Sequence, residues 1–537
     1  MISPRRLIVI GLSICTAGLV QAQVTPGEIL LAEMNCVACH ETPAGIRARL
    51  ASRQGPRLGA EGARIQPQHL RAFLEDPAKA KPGTLMPNLL HGVLAVDRAV
   101  AADALTHYLL SLQPADPPPA APADAILVKQ GEQLYHRVGC VQCHAPKILP
   151  DKVEDRSAAS EELERLQSSS VPLGPVAEKY TVASLAAFLL DPVKIRPSGR
   201  MPAMKLSAEE ALAISAYLVP PKATAIEETF ILYPAKAARG KDLYARLNCA
   251  ACHELDAPVQ PAKPLAQLVA RQPAGCLSPN PAPHVPKYEL TDRQRIVMLA
   301  ALQNQAQLAV PLEPHEHARR VMTTLNCFAC HQRDRRGGAH NLRREYFTSV
   351  GAEEFGDAAR VPPNLNGAGA KLQRTWIEAV LERGAVARPF MATRMPQFGV
   401  ANVRGLPAAL EQADLGDTPK PGVPIETAPP EAGRELVAAL NCASCHSLAS
   451  KPSTTPALDL ATATTRLQPD WFRRYLLDPP AFHPGTRKPH FWPEGKATNQ
   501  TVLGGDTERQ IAAIWHFLHQ SAEASPPKTT GPPLPSK

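Results

Sequence analysis

Aromatic residues are scarce, at 5% of 537, while proline is abundant at 56 residues. That balance argues against an extensive sheet and for helical units separated by linkers. Beyond the N-terminus no apolar run reaches the roughly 20 residues a membrane-spanning helix needs. No run of Lys and Arg is placed to grip nucleic acid, so the formal charge of +8 reads as a solvated surface. Also missing are a glycine-rich phosphate loop, a Ser/His/Asp set and a paired-carboxylate motif, which leaves nucleotide and hydrolytic chemistry without candidate residues.

The first 22 residues read as a secretory signal. Arg5 and Arg6 open it, residues 7–20 are apolar, and Val20-Gln21-Ala22 offers a small-residue cleavage site. The run is too short to span a bilayer; a retained anchor is the alternative. Cys15 leaves with the signal. The remainder is expected to be soluble, with no transmembrane segment, on the periplasmic or exported side.

Ten of the twelve cysteines fall into five identical frames. These are Cys36-Val37-Ala38-Cys39-His40, Cys140-Val141-Gln142-Cys143-His144, Cys249-Ala250-Ala251-Cys252-His253, Cys327-Phe328-Ala329-Cys330-His331 and Cys442-Ala443-Ser444-Cys445-His446. Cys-x-x-Cys-His is the attachment motif of c-type haem: two thiols bond the vinyl groups and the adjacent imidazole becomes the proximal iron ligand. No spare Cys pair remains to complete zinc tetrahedra. The expectation is five covalent haem c groups, with His40, His144, His253, His331 and His446 on iron.

Around each motif the same order recurs. An amphipathic helix leads into it, as at 131–138, 240–247 and 433–440. A Pro-x-Leu loop closing on Arg64, Lys179, Lys371 or Arg466 follows in four segments; the third has only a degenerate version at Pro264 and Leu265. A second helix comes next, ending in Asp-Pro at Asp76, Asp191 and Asp478. A Met-Pro loop and a closing helix complete the unit, with capping boxes at Ser207/Glu210 and Thr291/Gln294. Proline-rich stretches at 114–122, 220–225, 310–314 and 418–430 separate the units. The predicted architecture is all-α: a tandem array of five small domains at 23–115, 116–222, 223–309, 310–422 and 423–525, then a disordered tail at 526–537.

This order resembles the class I cytochrome c fold over almost the whole mature chain. The stretches around Asn326, Arg360-Val361-Pro362-Pro363-Asn364-Leu365, 388–396 and 482–487 are similar to multi-haem cytochromes of planctomycete and verrucomicrobial bacteria. The resemblance implies a methionine thioether as second axial ligand, at Met86, Met201 and Met395, each before Pro. Met204 and Met391 are expected in the core. Two units depart from the pattern. In unit three Val285 takes the ligand position, with His284 beside it and Cys276 upstream; that cysteine is either a small buried residue or a thiolate on iron. In unit five Lys488 stands at the position, and His490, on the same side of an extended loop, is the preferred replacement. These two irons either recruit another ligand or stay open. The expected function is electron carriage between redox protein partners. The alternatives are a redox enzyme acting at a Met-less haem and a subunit of a respiratory assembly.

Overall fold

The computed structural model describes residues 23–51, 53–59, 61–112, 124–147, 156–220, 230–268, 272–416, 428–448, 457–483 and 486–524. The signal, the stretch 114–122, most of 418–430 and the tail 526–537 lie outside the described residues. What is described is mainly helical, with one two-stranded ribbon, Gln332–Arg333 against Arg336–Gly337.

Five leading helices run into the five motifs: Pro26–Glu33, Ala125–Val138, Pro234–Arg246, Pro314–Thr324 and Pro430–Ala439. Four open on proline, whose fixed φ and missing N–H suit the first turn. Each ends on a left-handed residue just before the first cysteine: Asn35, Asn248, Asn326 and Asn441 at φ 52–57°, and Gly139 at 119°. Asn and Gly are the residues that accept this conformation cheaply. The turn it makes starts a short 3₁₀ segment across the Cys-x-x-Cys frame. The closing helices are Ala95–Ser111, Ala208–Leu218, Asp292–Gln303, Leu406–Leu415 and Thr507–Ala524. The last runs to Ala524, within the expected fifth unit. Both expected capping boxes form, and a third joins Thr181 to Ser184.

Leading and closing helices cross at a glycine nine residues before the first cysteine. A Cβ at Gly131 would lie 1.9 Å from the Ala213 carbonyl oxygen, and one at Gly433 2.0 Å from that of Ala513. These two crossings join helices of one sequence segment. The other two do not. Gly240 meets the carbonyl of Ala104 at 2.0 Å, and Gly27 meets that of Val297 at 1.9 Å. The leading helix of segment one therefore packs on the closing helix of segment three, and the reverse. The cores agree: Leu31, Met34, Val37 and Leu50 pack with Leu265, Leu277 and Met298, while Leu70, Leu105, Tyr108 and Leu109 pack with Tyr244.

The linear boundaries 23–115 and 223–309 are thus corrected. Module I consists of the described residues within 24–53 and 261–308, and module III of those within 55–112 and 230–260. Modules II, IV and V are continuous, over 124–219, 312–416 and 428–524. The physical reason is that four leading halves present the same glycine notch, with the small Ala318 at that place in the fourth segment, and the closing halves present a similar complementary ridge. Pattern alone does not choose between them.

Modules meet through two kinds of face. In the first, two motifs lie against each other. Asn35 Nδ2 lies 3.6 Å from Cys252 Sγ and Asn248 Nδ2 3.9 Å from Cys39 Sγ, joining I to III. Asn326 Nδ2 lies 3.8 Å from Cys143 Sγ, joining IV to II. The loops before the closing helices pair across the same interfaces, Asn88 with Lys287 and Ala203 with Gln397. In the second, the starts of the second helices meet. The Gln66 N–H donates to the Lys179 carbonyl at 2.9 Å, joining III to II. Gln373 and Gln468 exchange bonds with the carbonyls of Arg466 and Lys371, both 2.9 Å, joining IV to V. The contacts run I–III–II–IV–V. Module I also closes back on II and IV through Arg200–Glu33 and through buried Glu28, which pairs with Arg49 and lies 3.8 Å from Arg320.

Candidate functional site

Each motif histidine is held the same way. Nδ1 donates to a backbone carbonyl: His144 to Val171 at 2.9 Å, His331 to Pro363 and His446 to Leu458, both at 2.8 Å. In the exchanged pair His253 reaches Pro56 at 2.8 Å and His40 reaches Lys263 at 2.6 Å. The Pro-x-Leu loop of segment one therefore serves the third motif, and the degenerate loop of segment three serves the first. A donating Nδ1 fixes the tautomer and leaves Nε2 as the lone-pair nitrogen, the arrangement of a histidine metal ligand. Burial pushes the pKa values of His144, His253, His331 and His446 down, so the neutral ring is the stable form.

The thiols fit covalent attachment better than ion binding. Burial pushes Cys36, Cys140, Cys249, Cys327 and Cys330 up to about 12, because a desolvated thiolate is costly. Neutral thioethers have no such cost. Among the described residues no group of three or more His, Cys, Asp or Glu side chains is placed to hold a bare metal ion.

A cavity of 440 Å³ connects modules III and II. It is lined by Cys249, His253 and Met86 from one side and by Cys140, His144 and Met201 from the other. Met86 therefore faces the third motif, although it follows the first in sequence. Cations crowd the same cavity. Burial lowers Lys179 to about 7 and Lys81 to about 8, and Arg196 beside them adds like-charge repulsion. The III–II and IV–V interfaces repeat this feature: burial lowers Lys371 to about 8 and Arg466 to about 10, with Arg388 nearby. Among the described residues none of Lys81, Lys179, Arg196, Lys371, Arg388 and Arg466 forms a salt bridge. The Arg466 Nε is buried without a hydrogen-bond partner. Cations held this way call for anionic groups from outside the chain. The apolar cavity of modules III and II, with its fixed imidazoles, paired neutral thiols and unmatched buried cations, fits haem, an apolar macrocycle that carries carboxylates. Met395 lies among partly buried side chains on the core of module IV. Met204 is buried, as expected of a core residue.

The two atypical loops come out differently from the sequence reading. Residues 275–290 belong to module I, so the site without methionine is that of His40 rather than His253. His284 is exposed in a turn closed by Val285 N–H to Ala282 O, and His91 Nε2 bonds the Val285 carbonyl at 2.8 Å. That turn directs His284 away from the interior, so it is not the replacement ligand. The interior position goes to Tyr288, which the sequence reading passed over. Its hydroxyl is 3.3 Å from the Met34 carbonyl, and its pKa is pushed up by burial and by the nearby Cys36, Cys252, Cys276 and Cys39. The only signal for it was alignment with Met204, itself a core residue. Cys276 is partly buried and lies near Cys39, with its pKa raised by burial.

In module V, His490 is exposed and its Nε2 bonds the Leu477 carbonyl. The strand-like alternation that favoured it is broken by this bond. Lys488 takes the inward direction instead. Its ammonium lies 5.2 Å from the Phe491 ring centre and 5.8 Å from that of Tyr475, and burial lowers it to about 8. Its charge is felt at Cys442 and His446. With haem bound at the fifth motif, Lys488→Met would therefore be expected to convert its axial spectrum to a thioether type, whereas His490→Ala would leave it unchanged. Near-infrared and electron paramagnetic resonance spectra of the loaded protein measure this. An altered spectrum in His490→Ala alone would refute it.

No family model matches this chain, and no curated protein or solved structure matches it. Among the described residues no helix is long and apolar enough to cross a membrane.

Proposed function

We propose that this chain is an exported pentahaem c-type cytochrome that carries electrons between redox protein partners on the periplasmic side. The five modules are read as cytochrome c-like units. The observation that carries the reading is the fivefold motif histidine with Nδ1 fixed to a carbonyl and Nε2 left free, beside buried cations lacking carboxylates. Bound haem supplies a one-electron iron couple and propionate carboxylates.

The chain's own residues do the rest. The ten motif cysteines hold the rings, and the five histidines set the proximal side. Lys179, Lys371 and Arg466 neutralise carboxylates at the module interfaces, whereas Arg64 is already paired with Glu61. Met86, Met201 and Met395 supply soft ligands that favour a higher potential than a second imidazole does. The contact order I–III–II–IV–V sets the order of exchange, so neighbours in the path are not neighbours in the chain. Intact-mass measurement after export in a host with haem-attachment machinery tests the reading. A mass excess of five haems is expected, and fewer with haem in supply would overturn it.

The sites of His40 and His446, without methionine, favour a second reading, a redox enzyme that binds a small ligand at one of them. Carbon monoxide uptake by the reduced protein separates the two, since a pure carrier with six-coordinate irons binds none.

A further inference from the structure

The II–IV motif face encloses a cation where the I–III motif face encloses a phenol. The cation is Arg343, on the short helix Asn341–Arg344 that module IV carries beyond its motif. Its side chain is buried. Nη1 donates to the Gln142 carbonyl at 3.1 Å, inside the second Cys-x-x-Cys frame, and Gln142 Nε2 donates back to the Arg343 carbonyl at 3.2 Å. Nη2 donates to Ser170 Oγ, next to the Val171 carbonyl that holds His144. The guanidinium is felt at Cys143 and His144 on one side and at Cys330 on the other. Among the described residues Arg343 forms no salt bridge, and its Nε is buried without a hydrogen-bond partner. The cations that call for ring carboxylates, Lys179 and Lys371, lie at the second-helix faces instead. At the I–III face the residue among the motif cysteines is Tyr288, whose buried hydroxyl stays neutral.

We propose that Arg343 makes modules II and IV the electron-holding pair of the series, by raising the electron affinity of the sites of His144 and His331 above that of the other three. The inference rests on the carrier reading. One electron from a reduced partner turns one ferric site ferrous, lowering its positive charge by one, and later leaves for an oxidised partner. A fixed cation nearby opposes the ferric state more than the ferrous one, and burial keeps solvent and salt from screening it. At an effective dielectric constant near 20, a unit charge roughly 10 Å away changes the electron-binding constant by about tenfold. Both sites also have a methionine candidate, Met201 and Met395, whereas those of His40 and His446 have none. The site of His253 has Met86 without a cation at its motif face. Electrons entering at either end of I–III–II–IV–V therefore come to rest at II and IV.

The test is potentiometric titration of the loaded full-length protein, on samples whose intact mass shows five haems. Arg343→Gln is expected to lower the two highest midpoints, each by about tenfold in electron affinity or about 59 mV for a one-electron couple, and to leave the other three in place. Arg343→Lys keeps the charge without the forked hydrogen bonds and should keep both midpoints high. Arg404→Gln removes the same charge from an exposed position in module IV, where water screens it, and should move none of the five. If Arg343→Gln does not take up its full haem complement, Arg343→Met, which keeps the apolar stem, replaces it. Unchanged midpoints in the neutral variant, or a fall confined to the lower three, would overturn the proposal. So would an equal fall in Arg343→Lys, which marks a purely structural role, or in Arg404→Gln, which marks an effect of net charge. A wild type short of five haems sinks the carrier reading as well, and is told apart by mass before any titration.

Discussion

If the motifs carry haem as proposed, Met86→Ala is expected to strip the sulfur ligand from the iron on His253 and to leave the iron on His40 as it was. Linear order suggests the opposite, since Met86 follows the first motif by 46 positions and precedes the third. The exchange of halves decides the matter. Met86 sits just before the closing helix Ala95–Ser111, which packs on the leading helix of the third motif, and it lines the cavity that Cys249 and His253 line. The measurement is the sulfur-to-iron charge-transfer absorption in two backgrounds. With Cys249 and Cys252 replaced by Ala, so that the third haem is not attached, Met86→Ala should change nothing further. With Cys36 and Cys39 replaced instead, Met86→Ala should still remove one methionine's share of the band. The reverse pattern would restore the linear assignment. A fall in the potential of that one centre should accompany the loss, because a thioether partner raises it.

Gly240 should couple energetically to Tyr108 and not to Ala301. A Cβ on Gly240 would stand 2.0 Å from the Ala104 carbonyl and 2.7 Å from Tyr108 Cβ. Backbone has to move, so Gly240→Ala is expected to cost about 1–3 kcal/mol. Shrinking Tyr108 to Ala opens room for that movement. The double variant should then depart from additivity by about 0.5–3 kcal/mol, the range for residues in contact. Gly27 should show the same coupling to Ala301, whose Cβ lies 3.0 Å from the added carbon. Denaturant melts of the loaded protein measure both cycles. Coupling of Gly240 to Ala301, with none to Tyr108, would mean that each segment closes on itself.

These two experiments address the point where sequence and structure part. Local features were legible. The leading helices, the capping boxes at Ser207 and Thr291, and the helix ends at Asp-Pro depend on residues within one or two turns of each other. The structure adds that Asp76, Asp191 and Asp478 also cap the short helices that follow. The loops before the closing helices were less legible. His284 and Lys488 were weighed by alignment and alternation, but single bonds from His91 to Val285 and from His490 to Leu477 redirected those loops. Such bonds join positions 194 and 13 residues apart, beyond any local period.

Near neighbours in the chain fix how many motifs there are, where the leading helices stop and which histidine sits beside each cysteine pair, all of which was legible in the sequence; the helices start three to six residues earlier than expected, at Ala125, Pro234 and Pro430. Only the tertiary structure decided which closing half meets which leading half, and hence that Pro56 serves His253 and Lys263 serves His40. It also decided that the modules follow one another as I–III–II–IV–V. The reason is the repeat itself: five leading halves with nearly the same notch and five closing halves with nearly the same ridge are interchangeable locally. The choice among them falls to contacts between modules, such as Asn35 with Cys252 and Gln66 with Lys179, that no single repeat contains.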